Sequence, residues 1–406
     1  MFNHQRHALP IFVIAAFGTF HLAINIFIPA LPSVAEAFQA NEDIVQLSIA
    51  VFLIGSAISS LVYGVLSDQI GRKPILMIGL GIFAVTSLLC IFAPSIETLI
   101  ILRTCQGLGA GSISVTCFSM IQEQYSLKQA TRITNTMGII REFVIAFAPI
   151  IGGYLVVIGG WRSTFILVTL FLLSILYYGQ RWLRETSQLH EERTITFRPV
   201  LRHYHHVCKN PQFIRYVIIF PFLLCGLWSY FTVLPFYFIT TLHIPTYLFG
   251  YYIAPAAVMY SLGSIIANKI IHKYDLNATI KVGLILCLGA GIGQLILHFT
   301  FPGNPLMIVI IQSFYVMGMA FAFAPSISKA IEPFHKNRGV ANSLGGMLRQ
   351  SFAGLGALAG GYFDDTSLLS VALFLIFLTT VAFLIFTFWN PSDKENTENV
   401  HTKKDK

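Results

Sequence analysis

The stretch GVLSDQIGRKPIL, Gly64 to Leu76, sets an aspartate, an arginine and a lysine in a short connection between two long apolar runs. The run before it covers about 45–66 and the run after it about 74–93. Each reaches the roughly 20 residues that a helix rising 1.5 Å per residue needs to cross the hydrocarbon of a bilayer. Working outward, the same pattern recurs along almost the whole chain, with further runs at about 11–31, 96–119, 134–157, 163–182, 215–238, 247–270, 280–299, 305–328, 340–362 and 368–389. The pattern predicts an all-α integral membrane protein of twelve transmembrane helices.

Composition agrees. The chain has 406 residues, of which 55% are apolar and 11% charged, and its mean hydropathy is +0.71, outside the range of an ordinary soluble globule. A barrel would show segments of about 10 residues with strict in-and-out alternation, and runs such as VALFLIFLTTVAFLIFTF do not alternate. Backbone polar groups in lipid then leave a helix bundle. The first run has no small-residue cleavage site before SVAEAFQANED, so it reads as a retained helix rather than a signal peptide.

Lysine and arginine set the orientation. With the amino terminus inside, 22 of the 26 fall on the cytoplasmic side: Arg6, Arg72, Lys73, Lys128, Arg132, seven from Arg181 to Arg215, Lys269, Lys273, Lys281, Lys329, Lys336, Arg338 and four in the tail. Arg162 lies outside, and Arg103, Arg141 and Arg349 lie within spans. The outer loops carry Glu36, Glu42, Asp43, Glu97, Asp364 and Asp365 instead, which places both termini in the cytoplasm of a multi-pass protein. The net charge of +8 therefore reports topology, and no domain-sized soluble segment exists to bind nucleic acid. The six cysteines lack CxxC spacing and read as small apolar fillers, with no metal site. No GxxxxGK[ST] loop and no nucleophile–base pair emerges, so neither ATP drive nor an enzyme is expected.

The longest polar interval follows the sixth run and divides the chain into a six-helix half at 1–182, a cytoplasmic linker at 183–213, a second half at 214–390 and a disordered cytoplasmic tail at 391–406. The linker's HYHHVC, His203 to Cys208, reads as part of an interfacial amphipathic helix, with a soft-metal site as the alternative. The halves are faintly repeated: REFVIAFAPIIGGY from Arg141 matches RQSFAGLGALAGGY from Arg349 at an offset of 208 residues. Gly152, Gly153 and Tyr154 recur as Gly360, Gly361 and Tyr362.

In the opening stretch Gly64 allows close backbone approach, Gly71 supplies a tight turn, and Asp68 suits the positive N-terminus of a helix. The stretch resembles the loop signature of the major facilitator superfamily, G-x-L-[AS]-D-x-x-G-R-[RK], met at Gly64, Leu66, Ser67, Asp68, Gly71, Arg72 and Lys73. The resemblance implies that Asp68 meets the eleventh helix, beginning near Arg338, and that Arg72 pairs with Glu123, latching one conformation; the plain alternative is a solvated loop. Arg103, Gln106, Gly107, Gly109 and Ala110 resemble a second signature of that family, R-x-x-Q-G-x-G-A. An ionised side chain that deep in a span costs at least roughly 2.5–3.5 kcal/mol, so Arg103 should face the interior, either in a conformational or proton-relay role or in a static ion pair. The corresponding position of the tenth run holds Gln312.

APIIGG, Ala148 to Gly153, resembles the antiporter motif of twelve-helix drug:proton antiporters, with Pro149 and Gly152 offering a hinge or a generic packing seam. FHLAINIFIPALP in the first run and WRSTF after the fifth resemble the Bcr/CflA drug-resistance branch, and the likeness covers about 10–390. One departure matters: that branch carries an aspartate where this chain has Asn25. An intramembrane acid can carry a proton and asparagine cannot. His21, one turn earlier, is a candidate coupling group or a packing residue. Glu142 is the other titratable candidate; neighbours on a helix point about 100° apart, so Arg141 and Glu142 are not expected both to face a central cavity, and an interfacial, snorkelling pair is the alternative.

The resemblance implies a monomeric secondary transporter of the bacterial inner membrane that needs no cofactor beyond the proton gradient. It would export small amphipathic compounds, drug-like molecules or a metabolite such as a siderophore. A proton-coupled importer or facilitator of one solute is the alternative, favoured by the missing aspartate.

Overall fold

The computed structural model describes residues 2–186, 205–273, 275–334, 338–363 and 367–389, without the side chains of 2–8, 127, 128, 131, 272, 273, 338 and 339. The tail, most of the linker including His203, and Asp364 and Asp365 lie outside them.

Every regular element among the described residues is helical. In chain order they are α1 (Phe2–Asn25), a 3-10 turn (Ile28–Ala30), α2 (Leu31–Phe38), α3 (Glu42–Ile70), α4 (Arg72–Ile91), α5 (Ile96–Gln124), α6 (Leu127–Gly159) and α7 (Arg162–Trp182). A short turn α8 (205–209) follows. Then come α9 (Pro211–Val217), α10 (Ile219–Pro235), a π-helical segment (Phe236–Thr241), α11 (Thr246–Lys273), α12 (Leu276–Thr300), α13 (Pro305–Ile331), α14 (Arg338–Gly360) and α15 (Leu369–Phe388).

Ten of the resulting columns are long and apolar enough to cross a membrane. The long helices outside those ten are α5, which carries Arg103 and Gln106, and α14, rich in glycine and small residues. The expected first span at 11–31 is interrupted. Pro29 and Pro32 supply no backbone N–H, so α1 stops at Asn25 and the chain restarts as α2 after the 3-10 turn. The seventh span is interrupted at the equivalent place, where Pro235 ends α10 and the backbone widens into the π segment.

Side-chain caps fix where three helices begin. Ser95 Oγ accepts from Thr98 N at 3.3 Å, Asn210 Oδ1 from Phe213 N at 3.0 Å and Asn304 Oδ1 from Met307 N at 3.2 Å. Gly71 joins α3 to α4 at φ +117°, a conformation that side chains with a Cβ rarely adopt.

Helices α1–α7 pack mainly among themselves, as do α9–α15, and two pairs bridge the sets: α6 with α11, and α3 with α14. Glycines make both bridges. A Cβ on Gly153 of α6 would sit 2.5 Å from the Thr246 carbonyl oxygen of α11, and one on Gly250 of α11 would overlap the α6 backbone at Ile150. In the other bridge a Cβ on Gly354 would lie 3.1 Å from Ala50 O, and one on Gly361 3.3 Å from Asp43 O. Gly152 and Gly360 instead face inside their own sets, Gly152 against the Ile26 carbonyl just past α1 and Gly360 against Ser229 and Thr232 of α10. The sequence repeat is thus a repeat of contacts: the first glycine of each pair packs on its own set's first helix, the second on the opposite set's second helix. All these contacts cluster towards the bundle face opposite the 64–76 connection.

Candidate functional site

At mid-depth, between the two bridges, α6 presents Arg141 and Glu142 away from its most exposed stripe of Ile139, Phe143 and Phe147. The guanidinium Nε and Nη2 of Arg141 donate to Glu142 Oε1 at 2.9 and 2.5 Å. Neither is sealed off, since 24% of the arginine side chain and 15% of the glutamate's are accessible. Arg141 also reaches across to the second set, its guanidinium 5.7 Å from the Tyr260 ring of α11 and 5.9 Å from the Phe323 ring of α13. From α14, Arg349 approaches the same Phe323 ring to 5.8 Å. The Tyr260 hydroxyl feels the charges of Arg141, Glu142 and Arg349 together, and His21 of α1 lies within the field of Arg141.

Although their backbone directions differ by about 100°, Arg141 and Glu142 bond to each other at their tips, and the arginine also reaches the second set. Gln350, opposite Glu142 in the repeat, leaves the second set without a matching acid.

Helix α1 contributes unequally. His21 is half-buried, edge-on to Phe17 and Phe20 at 4.9 and 5.1 Å between ring centres. Asn25 is buried, and its Nδ2 donates to His21 O at 2.8 Å, so the amide is spent on its own helix.

Arg103 and Gln106 lie elsewhere, inside the first set. Arg103 is fully buried; Nη1 donates to Gln106 Oε1 at 2.6 Å and Nε to Ser48 O at 3.3 Å. Gln106 Nε2 passes the chain on to Ser87 Oγ at 2.6 Å. Three rings cage the guanidinium, Phe52 at 4.6 Å, Phe27 at 4.9 Å and Phe165 at 5.9 Å. Its Nη2 has no partner, and no carboxylate pairs with it among the described residues, which leaves the static ion pair without its acid. Gln312, its counterpart on α13, is buried with neither amide atom partnered.

At the connecting loop, Arg72 gathers three partners: Asp68 one turn earlier, Ser67 Oγ at 2.6 Å and Glu123 Oε1 at 2.9 Å. The pairing with Glu123 is thus present. Asp68 is 55% exposed and bonded to Arg72; α14 begins at Arg338 as expected, but that side chain lies outside the described residues. Lys73 Nζ donates to Gln180 O at 3.4 Å, and Gly64 packs on Val115.

Sequence reasoning missed the clasp at this loop. Glu185, just past α7, accepts from Arg72 N at 2.8 Å and Lys73 N at 3.0 Å, holding a carboxylate against the positive end of α4. Thr186 Oγ1 donates to Glu123 Oε2 at 2.8 Å. It also missed Tyr260 and Phe323, which no motif marks. Pro149 lies inside α6 against Gly250 of α11, at the bridge. The aromatic side chains of Phe20, Tyr230, Phe231 and Tyr315 are buried in the core, and Tyr315 donates to Leu223 O at 3.0 Å.

The Major Facilitator Superfamily profile matches residues 13–357. The chain belongs to that superfamily. Multidrug resistance protein D of Escherichia coli is 25% identical over 374 residues, covering 91% of this chain and 92% of that protein. The bicyclomycin resistance protein homolog of Haemophilus influenzae is 23% identical over 338 residues, covering 83% and 84%. Among solved structures, a D-xylose-proton symporter superposes with a TM-score of 0.75 at 15% identity, covering 95% of this chain and 98% of that one. A bacterial homolog of the human lysosomal transporter Spinster, inward-facing and unoccupied, gives 0.74 at 13%, covering 95% and 97%. These likenesses establish a multi-pass transporter fold of the superfamily with drug-resistance relatives.

Proposed function

We propose that this chain is a secondary active transporter that exports small amphipathic compounds from the bacterial cytoplasm, driven by protons through alternating access. The observation that carries this reading is the Arg141–Glu142–Arg349 cluster. It is partly accessible at mid-depth, it is built from both sets of helices, and it lies beyond a bundle face closed by glycine-to-backbone contacts. A site between two bodies that touch closely on one side can be exposed alternately by rocking one against the other.

In this reading α5 and α14 span the membrane with the ten more apolar columns, giving twelve spans in two six-helix halves, residues 1–182 and 214–390, with both termini cytoplasmic and a monomer as the working unit. The bacterial inner membrane supplies the drive, about 2.3 kcal/mol per charge per 100 mV. Relatives named for multidrug and bicyclomycin resistance support export and a permissive, drug-like or siderophore-like cargo. Glu142 is the proton carrier in this scheme, with His21 beside the same field.

A tracer should accumulate in cells lacking the protein, fall on re-expression, and rise again when an uncoupler collapses the proton gradient. Uptake gained on expression would instead establish import. That second reading, a proton-coupled importer or facilitator, is favoured by Asn25, whose amide is closed onto His21 O and offers no acid on helix α1.

A further inference from the structure

The charges at the mid-depth cluster do not balance. Two guanidiniums, Arg141 and Arg349, face a single carboxylate, Glu142, and the Phe323 ring lies within 6 Å of both cations, so they stand no more than about 12 Å apart. Arg141 spends the Nε proton and one Nη2 proton on Glu142 and shares a further side-chain hydrogen bond with Tyr260, leaving two of its five donors. Arg349 makes no hydrogen bond and no ion pair with any described residue, so all five of its donors are uncommitted. Gly345 and Gly346 lie beside its guanidinium, within 3.4 and 3.6 Å of where a Cβ would stand, which keeps the space next to the charge open.

A ring against the face of a guanidinium leaves its N–H edge free, and that planar fork matches a carboxylate in two parallel bonds. The neighbouring groups do not cancel the excess charge. Tyr260 is a phenol, and Gln350 follows Arg349 where the first set has Glu142. A cationic ligand would enter a site already carrying one net positive charge.

We infer that this site selects an anionic substrate: a carboxylate, or an acid group of like geometry, on an aromatic or aliphatic body, with its oxygens on Arg349 and its apolar part against Phe323 and Tyr260. The inference rests on the transporter reading for its role but makes a separate claim about charge. Arg349 and the free edge of Arg141 bind the anion, and Glu142 holds Arg141 in place while preventing a doubly positive site from trapping its cargo.

The test uses three probes that share one ring system: 2-naphthoate, 2-naphthamide and 2-naphthylmethylammonium. Binding to the purified full-length protein in nanodiscs is measured by calorimetry, and flux is measured in proteoliposomes. Naphthoate should bind at least tenfold more tightly than the amide, with the ammonium weakest. Arg349→Gln should erase the preference at a melting temperature near wild type, and Arg349→Lys should restore part of it.

Equal binding of naphthoate and the amide, or a preference for the ammonium, overturns the inference. Loss of naphthoate preference in Arg349→Gln only alongside a collapsed melting temperature and lost amide binding also counts against it, unless Arg349→Lys, melting as wild type, retains the preference. The two claims separate cleanly. Carboxylate-selective binding with no flux under any gradient refutes transport and keeps the anion site. Flux of the amide and ammonium without naphthoate keeps transport and refutes the anion site.

Discussion

Placing one methyl group on Gly153 should change which face of the bundle is open. An alanine Cβ there would stand 2.5 Å from Thr246 O and 3.1 Å from Tyr247 Cα, both backbone atoms of α11. Reaching an ordinary contact of about 3.4 Å requires α6 and α11 to part by roughly 0.9 Å at that end, and overpacking a close contact of this kind typically costs 1–3 kcal/mol. The cost falls on the conformer in which these ends touch and vanishes where they separate, so the equilibrium moves by about 5- to 150-fold towards the state open on the Gly153 side.

Its repeat partner supplies the control. A Cβ on Gly361 would meet Asp43 O at 3.3 Å, so Gly361→Ala needs an adjustment of only about 0.1 Å and should behave as wild type. The assay is maleimide labelling of single cysteines introduced on each face, with flux measured in parallel. Gly153→Ala should raise labelling on the Gly153 side, lower it on the opposite face and slow turnover. Wild-type labelling in Gly153→Ala, or equal effects of the two alanines, would refute the assignment of this bridge as the closed gate.

Three further outcomes follow from the same coordinates. Glu142→Gln keeps an acceptor oxygen for Arg141 but removes the carboxylate charge and its proton site; substrate exchange should persist while accumulation driven by a pH gradient is lost, and retained gradient-driven accumulation, or its loss in His21→Gln instead, moves the proton elsewhere. Gln312→Leu replaces an amide with two unpartnered buried atoms, so thermal unfolding in detergent should show stability unchanged or raised by about 1–3 kcal/mol; a clear loss would mean the amide has a partner in the membrane. Glu185→Gln weakens the clasp on the first turn of α4 by about 0.5–2 kcal/mol, and hydrogen exchange at Arg72 and Lys73 should quicken without a change at Gly354.

Hydropathy made the helical columns and their approximate ends legible, because lipid leaves the backbone no other arrangement. The repeat was legible for the same kind of reason. Gly152, Gly153 and Gly360 leave no room for a Cβ, and Gly361 stands in looser contact with the backbone at Asp43. What stayed hidden were partnerships chosen by tertiary position. Nothing in LRETSQ distinguishes Glu185 as the cap of a helix more than a hundred residues earlier, and nothing among 35 phenylalanines marks Phe323 as the one between two arginines. The Arg141–Glu142 bond stayed hidden as well, because a long guanidinium bends back onto its neighbour, so a 100° separation at the backbone closes to 2.5 Å at the tips.

The way the two halves diverge bears on mechanism. Rocking requires that each half offer the other a thin, smooth backbone surface, and the glycines of α6 and α14 keep that symmetry in detail. The charges do not. Arg141 and Arg349 are shared by the repeat, but Glu142 corresponds in sequence to Gln350, and Arg103 in its aromatic cage corresponds to an unpartnered Gln312. A moving scaffold needs two equivalent bodies, whereas coupling one proton to one cargo needs a single acid, since a second carboxylate at residue 350 would neutralise the cluster and remove the excess charge that a substrate anion answers. The asymmetry in acidic charge is therefore placed where the chemistry acts, on α6 and α14, and Ala148 and Pro149, about two turns further along α6, return to packing.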